Sequence, residues 1–336
     1  MKKHLLYTPI ILILVLFVSA CNNATNADSK NIVIKMGTKM PQESLEGEMF
    51  DYFADLVHEK SNGEITIQMY PAEQLGKGNT QIDNILNGTQ QIYAEGITYF
   101  SDLDKRVELS SVPFLFRDFE HFQNFNKSEM GQDIHNNLIE NNVRILNDER
   151  NFRRGPERVM LSKEPITSPE DLNGLKIRSF ESKTYSQAYE YVESNPTVVA
   201  WTETYLALNQ NLVNAATSPL SLVWGMKFTE VAPHMSMIDE YPQDVVLAMN
   251  EEFFQGLSEE HQNILIDAAN ETGEENNRRI EDVVDEQLSM MQAEHDIKIH
   301  EINKEDWTKA FEGFHYQLEE DGDIPEGTID YIRNIE

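Results

Sequence analysis

The chain has 336 residues, 40% of them hydrophobic and 25% charged, and a formal net charge of −31. That length allows two domains of about 150 residues, each with its own core. So acidic a chain is excluded from nucleic-acid binding, which needs a basic face, and it must draw in any small anion through a local cationic site that works against the overall field. With Cys21 as the single cysteine, no intrachain disulfide can form.

Lys2 and Lys3 precede an apolar run, Ile10 to Val18, which is a signal-peptide layout. The run falls short of the about 20 residues that a membrane-spanning helix needs. Val18-Ser19-Ala20-Cys21 is similar to a lipobox, so residues 1–20 are expected to be removed and Cys21 to be lipidated. Losing Lys2 and Lys3 brings the net charge to −33. Each buried acyl CH₂ contributes about 0.8 kcal/mol, so two or more chains anchor stably. Residues 21–30 are polar and read as a tether.

A strand is predicted at Ile32 to Gly37. Leu45, Met49, Phe53, Leu56 and Val57 recur at helical spacing up to the Asn62-Gly63 stop, and a strand follows at Ile65 to Met69. Strand, helix, strand in this order is a parallel α/β unit. Gly76-Lys77-Gly78-Asn79 lacks the length and the Lys-Ser/Thr pair of a phosphate loop. Lys77 within it is a candidate ligand-binding cation. Ile82, Ile85 and Leu86 form a helix face, and the strand Ile92 to Ala94 presents Glu95 at its carboxyl end, where ligands collect in open α/β folds. A helix from Phe119 to Asn141 and a strand from Val143 to Leu146 come next.

Pro165 to Arg178 reads P-I-T-S-P-E-D-L-N-G-L-K-I-R: a Pro-rich turn, a short helical turn at Pro169 to Leu172, a turn at Asn173-Gly174, and a strand that delivers Arg178. An arginine at the end of a buried strand is costly unless something anionic meets it, either an internal acid or a ligand. A helix is expected from Lys183 to Glu193, then one starting after Trp201 with Thr202 as N-cap, and another over Met226 to Val231. The apolar run Val245 to Met249 predicts a strand buried on both faces. A long acidic helix from Ser258 to about Ala293 has an apolar stripe able to brace two lobes. Ile297 to Ile299 is a last strand and Trp307 to Leu318 a terminal helix. The acidic turn Glu319 to Thr328 lacks EF-hand spacing.

Motifs for catalysis are missing. The nine histidines show no H-E-x-x-H or clustered ligand spacing, and there is no G-x-S-x-G, Walker or dinucleotide fingerprint. No metal, no cofactor and no enzymatic activity are expected.

The Pro165 to Arg178 stretch resembles the motif P-I-x-S-P-E-D-L-x-G-L-K-I-R of the DctP family, the solute-receptor subunit of tripartite ATP-independent periplasmic (TRAP) transporters. Further matches are Tyr70-Pro71-Ala72-Glu73-Gln74-Leu75-Gly76, Val112-Pro113-Phe114-Leu115-Phe116-Arg117-Asp118 and Asn195-Pro196-Thr197. The resemblance implies that Arg178 grips a substrate carboxylate. It implies a second ligand arginine twenty residues earlier, at Arg158, although Pro156-Glu157 replaces the usual Gly-Phe there, leaving Arg153 and Arg154 as alternatives. It implies that Glu95 accepts substrate hydroxyls, that Trp201 closes over the ligand, and that Ser218 stands where the family commonly has a substrate-contacting asparagine.

The expected architecture is an α/β, two-lobed periplasmic-binding-protein-like fold with a ligand cleft between lobes and a long bracing helix. The expected lobes are 31–155 plus 244–283 and 156–243 plus 284–336. The expected function is extracytoplasmic capture of an organic acid and its delivery to TRAP membrane subunits, with the protein held at the membrane through lipid on Cys21. Two other readings stand beside it: a ligand receptor for a sensor kinase, and a lyase or hydrolase using Glu95 with an arginine. Sugar acid, dicarboxylate and 2-oxo acid all remain open as ligand.

Overall fold

The computed structural model describes residues 31–336; the signal segment, the lipidation residue Cys21 and the tether lie outside the described residues. Alternating apolar residues make β1 (Ile32–Thr38) and β2 (Ile65–Tyr70), which pair in parallel across the helix Leu45–Lys60. Ser44 caps that helix by accepting a hydrogen bond from the Gly47 backbone N–H, 3.1 Å. β3 (Ile92–Glu95) joins β1 in parallel, and β4 (Val143–Ile145) lies further out. The chain then crosses to a second sheet made of β5 (Arg158–Ser162), β6 (Lys176–Ser179), β7 (Asn195–Val198), β8 (Ala215–Pro219) and β9 (His234–Ser236).

It crosses back with β10 (Val246–Asn250), which inserts antiparallel between β3 and β4. All five β10 residues are buried, as the unbroken apolar run predicts. A last crossing brings β11 (Lys298–His300) to the edge of the second sheet. The finished orders are β2-β1-β3-β10-β4 and β11-β9-β5-β8-β6-β7. This is the two-lobed α/β architecture expected.

The bracing helix runs Glu259–Glu294, 36 residues, capped by Ser258. Its buried face packs on the helix Leu45–Lys60 and, further along, on the short helix Leu220–Val223, so one rigid element touches both halves. At its middle it meets residues 151–153, the extended segment by which the chain crosses to the second sheet. Asn277 and Asn276 donate to the backbone carbonyls of Asn151 and Arg153, at 2.6 and 2.8 Å, so those carbonyls do not go unpaired under the helix. Gly273 makes room for this approach: a Cβ there would collide with Asn151 Oδ1 and sit 3.0 Å from the Phe152 backbone N.

Three predicted elements differ. The helix expected over Phe119 to Asn141 is two, Phe119–Lys127 and Glu129–Glu140, because Ser128 turns extended and caps the second by accepting from Gly131 N–H. The helix expected at Met226 to Val231 is a single 3₁₀ turn, Phe228–Glu230, entered through Lys227 in the left-handed region. Thr202 is not an N-cap; it lies inside the 3₁₀ turn Trp201–Glu203, and its hydroxyl donates to Glu73 at 3.1 Å.

Gly273→Ala is expected to lower stability by about 1–3 kcal/mol through overpacking, despite the gain of about 1 kcal/mol that alanine brings to an open helix interior. Thermal unfolding checks this; a raised midpoint would contradict the close-packed crossing.

Candidate functional site

Register puts two arginines at one edge of the second sheet. β5 runs antiparallel to β8 with Arg158 opposite Pro219, and β6 runs parallel to β8. The amino end of β5 therefore meets the carboxyl ends of β6 and β8, where open sheets hold ligands. Arg158 and Arg178 both line one concave cavity, where a small ligand can meet convergent polar groups. Lys39, Thr98 and Tyr99 face them from the first sheet's loops, and Trp201, Tyr241 and Gln243 complete the polar and aromatic wall.

Arg178 is 5% exposed. Its Nε donates to the Val199 carbonyl at 3.0 Å, while its Nη2 is buried with no hydrogen-bond partner. The guanidinium carbon lies 5.5 Å from the Trp201 ring centre and 5.8 Å from that of Phe180. Burial pulls its pKa below the usual arginine value, and the neighbouring tyrosines and Glu181 offset that only in part. Among the described residues three other arginines are buried, Arg150, Arg154 and Arg158, and each is paired with an acid. The internal-acid alternative for Arg178 is therefore not what the fold builds. Beside it, Trp201 Nε1 is a second buried donor without a partner.

Arg158 is also on the wall but is spoken for. It donates to Glu240 at 3.1 Å, Gln243 at 2.8 Å and Thr217 at 3.0 Å, and its guanidinium carbon lies 4.2 Å from the Tyr241 ring centre. Glu240, fully buried, also accepts from Tyr189 at 2.6 Å and Tyr185 at 3.3 Å. Of the alternatives, Arg154 reaches the wall yet donates both to Glu46, at 2.8 and 2.7 Å, and to Glu95. Arg153 bonds the Pro156 carbonyl and Glu281 and does not line this cavity.

Three other expectations need correction. Glu95 is fully buried and does not face the cavity; one oxygen is held by Arg154 and the Gly96 N–H, the other by Lys39 at 3.1 Å. Burial would raise its pKa, but Arg154 and Lys39 outweigh that and leave it lowered, so it is an ionised structural acid. Ser218 is fully buried and its hydroxyl donates to the Pro219 carbonyl. Lys77 is exposed, off the wall, and paired with Glu203 at 2.8 Å; exposed pairs of this kind contribute about 0–1 kcal/mol.

Lys39 is the wall residue that the sequence pattern did not single out. Its Nζ donates to Tyr99 Oη at 2.9 Å and meets Glu95. Burial lowers its pKa, but Glu95 and Tyr99 raise it further, so the ammonium stays charged. Among the described residues no cluster of His, Cys, Asp and Glu has the form of a metal site.

Residues 36–321 match the family described as bacterial extracellular solute-binding protein, family 7, DctP. The chain is 30% identical over 221 residues to the 2,3-diketo-L-gulonate-binding periplasmic protein of Escherichia coli, covering 66% of each. It is 24% identical over 291 residues to the C4-dicarboxylate-binding protein of Bacillus subtilis, 86% of this chain and 82% of that one. A TRAP periplasmic solute-binding protein of Chromohalobacter salexigens, solved with bound D-glucuronate, superposes with a TM-score of 0.83 at 20% identity over 90% of this chain and all of that one. The family match spans every cavity-lining residue from Lys39 to Gln243, and the chain belongs to the DctP family of bacterial extracellular solute-binding proteins, family 7.

Proposed function

We propose that this protein captures an organic acid outside the cytoplasm by seating its carboxylate on Arg178, and hands the acid to the membrane subunits of a TRAP transporter. The observation that carries the reading is a buried guanidinium with an unpartnered Nη2 on the wall of a cavity. A carboxylate arriving there makes charge-assisted hydrogen bonds of about 1.5–3 kcal/mol each. Micromolar affinity needs about −8.2 kcal/mol, so two such bonds, the aromatic wall and closure of the lobes suffice. Relatives named for diketogulonate and C4-dicarboxylate, and a structural neighbour holding glucuronate, support the same class of ligand.

We take the lobes as 31–155 plus 244–283 and 156–243 plus 284–336, a division that the two separate sheets support. A bound acid touching Arg178 from one side and the Lys39–Tyr99 loops from the other favours the closed form, and closure is the signal a transporter reads. Turnover is not part of the reading: Glu95, the acid a lyase would use, has both oxygens engaged by cations. Lipid on Cys21 anchors the receptor beside its transporter, and the segment preceding Cys21 supports this.

Arg178→Gln and Arg158→Gln separate ligand binding from framework. Arg178→Gln is expected to weaken acid binding at least about 30-fold, since truncating one partner of a buried charge pair costs about 2–5 kcal/mol, while the unliganded protein keeps or gains stability. Arg158→Gln strands Glu240 and is expected to destabilise the unliganded protein by about 3–5 kcal/mol. Calorimetric titration and thermal unfolding check both; unchanged acid binding in Arg178→Gln would contradict the reading. For the anchor, cells fed labelled palmitate should label the wild type and not Cys21→Ser, which should leave the membrane fraction; equal labelling would contradict lipidation. Genetic removal of the membrane subunits should abolish receptor-dependent acid uptake and leave binding by the purified receptor intact.

A further inference from the structure

Charge counting inside the cavity narrows the ligand. Four cations reach the wall: Lys39, Arg154, Arg158 and Arg178. Three carboxylates answer them, Glu46 to Arg154, Glu95 to Arg154 and Lys39, and Glu240 to Arg158. All seven residues are less than a tenth exposed, so neither salt nor water redistributes these charges. One positive charge is left over, and the hydrogen bonds say where it resides: Arg178 is the member with no acid and a vacant N–H.

The surroundings offer nothing to a second anionic group. Glu181, exposed and next in the chain to the wall residue Phe180, acts on Arg178 and adds negative charge beside the cavity. Deeper in, the remaining polar wall is neutral: Thr98, Tyr99 and Gln243, with the buried Trp201 Nε1 as a free donor. Met40, Phe180 and Leu222 supply the apolar part.

We propose that the cavity selects an organic monoanion, with one carboxylate on Arg178 and a neutral, partly apolar body that places an acceptor on Trp201 Nε1, and that it rejects diacids of the same skeleton. The inference rests on the organic-acid reading above and sharpens it. A second carboxylate in this cavity would be a buried charge without a counter-charge, which is the expensive case.

The test is calorimetric titration of the full receptor with matched acids, D-gluconate against D-glucarate and succinamate against succinate. It is run at about pH 8, well above the ordinary carboxylate range, so that Glu46, whose pKa burial lifts against the pull of Arg154, stays ionised. The monoanion of any pair that binds is expected to be preferred by at least about 100-fold, the scale of an uncompensated buried charge. Glu95→Gln removes one internal carboxylate, raises the surplus to two charges and is expected to narrow that ratio. A diacid that binds as tightly as its monoanion, or a ratio unmoved by Glu95→Gln, overturns the charge count and leaves acid capture standing. No heat from any acid, mono or di, overturns the organic-acid reading and this inference with it.

Discussion

One buried positive charge without an internal partner organises the site. A guanidinium moved from water into a protein interior loses several kcal/mol of hydration, and proteins ordinarily recover that with a carboxylate. Arg150, Arg154 and Arg158 follow the rule; Arg178 does not. It keeps one backbone acceptor, two aromatic faces and an open N–H. On the function we propose, the unliganded receptor carries an unpaired charge that an incoming carboxylate relieves, and the affinity gained comes partly from ending that cost.

The rest of the polar interior holds this arrangement in place. Glu240, fed by Tyr185 and Tyr189, fixes Arg158 beside Tyr241. Glu46 and Glu95 fix Arg154 and Lys39 against the opposite wall. These networks cross between chain segments far apart in sequence, so charge balance and lobe geometry are set by the same contacts. The bracing helix supplies the frame, its asparagines satisfying the crossing segment and Gly273 letting that segment lie close. Positions that would otherwise be free to neutralise Arg178 are committed elsewhere.

Much of the fold was legible because its signals are local. Period-2 and period-3.6 apolar patterns marked the strands and the long helix, and the wholly apolar Val245 to Met249 run marked the central β10. The break at Ser128 has local signals that the long-helix reading passed over: Ser128 caps the second helix, and Phe122 and Phe125 are out of helical phase with Ile134 and Leu138. In the site, the burial of Arg178 at a strand end was legible from the apolar run before it, while its proposed role as carboxylate grip came from the family motif. Glu95 was placed at the right strand end, but its partners, Arg154 and Lys39, are 59 and 56 positions away in the chain, beyond what a local pattern reports. Lys39 gave no signal of its own, a lone lysine in a loop after a strand. Lys77 misled for the converse reason: a Gly-flanked cation reads as a ligand group until a distant Glu203 is seen to occupy it.

The most direct measurement is a crystal structure of the receptor with the tightest-binding acid in place. The account predicts a carboxylate oxygen within hydrogen-bond distance of Arg178 Nη2, with Arg158 still on Glu240 and Lys39 still on Glu95. A carboxylate seated on Arg158 or Lys39 while Arg178 Nη2 stays empty would contradict it.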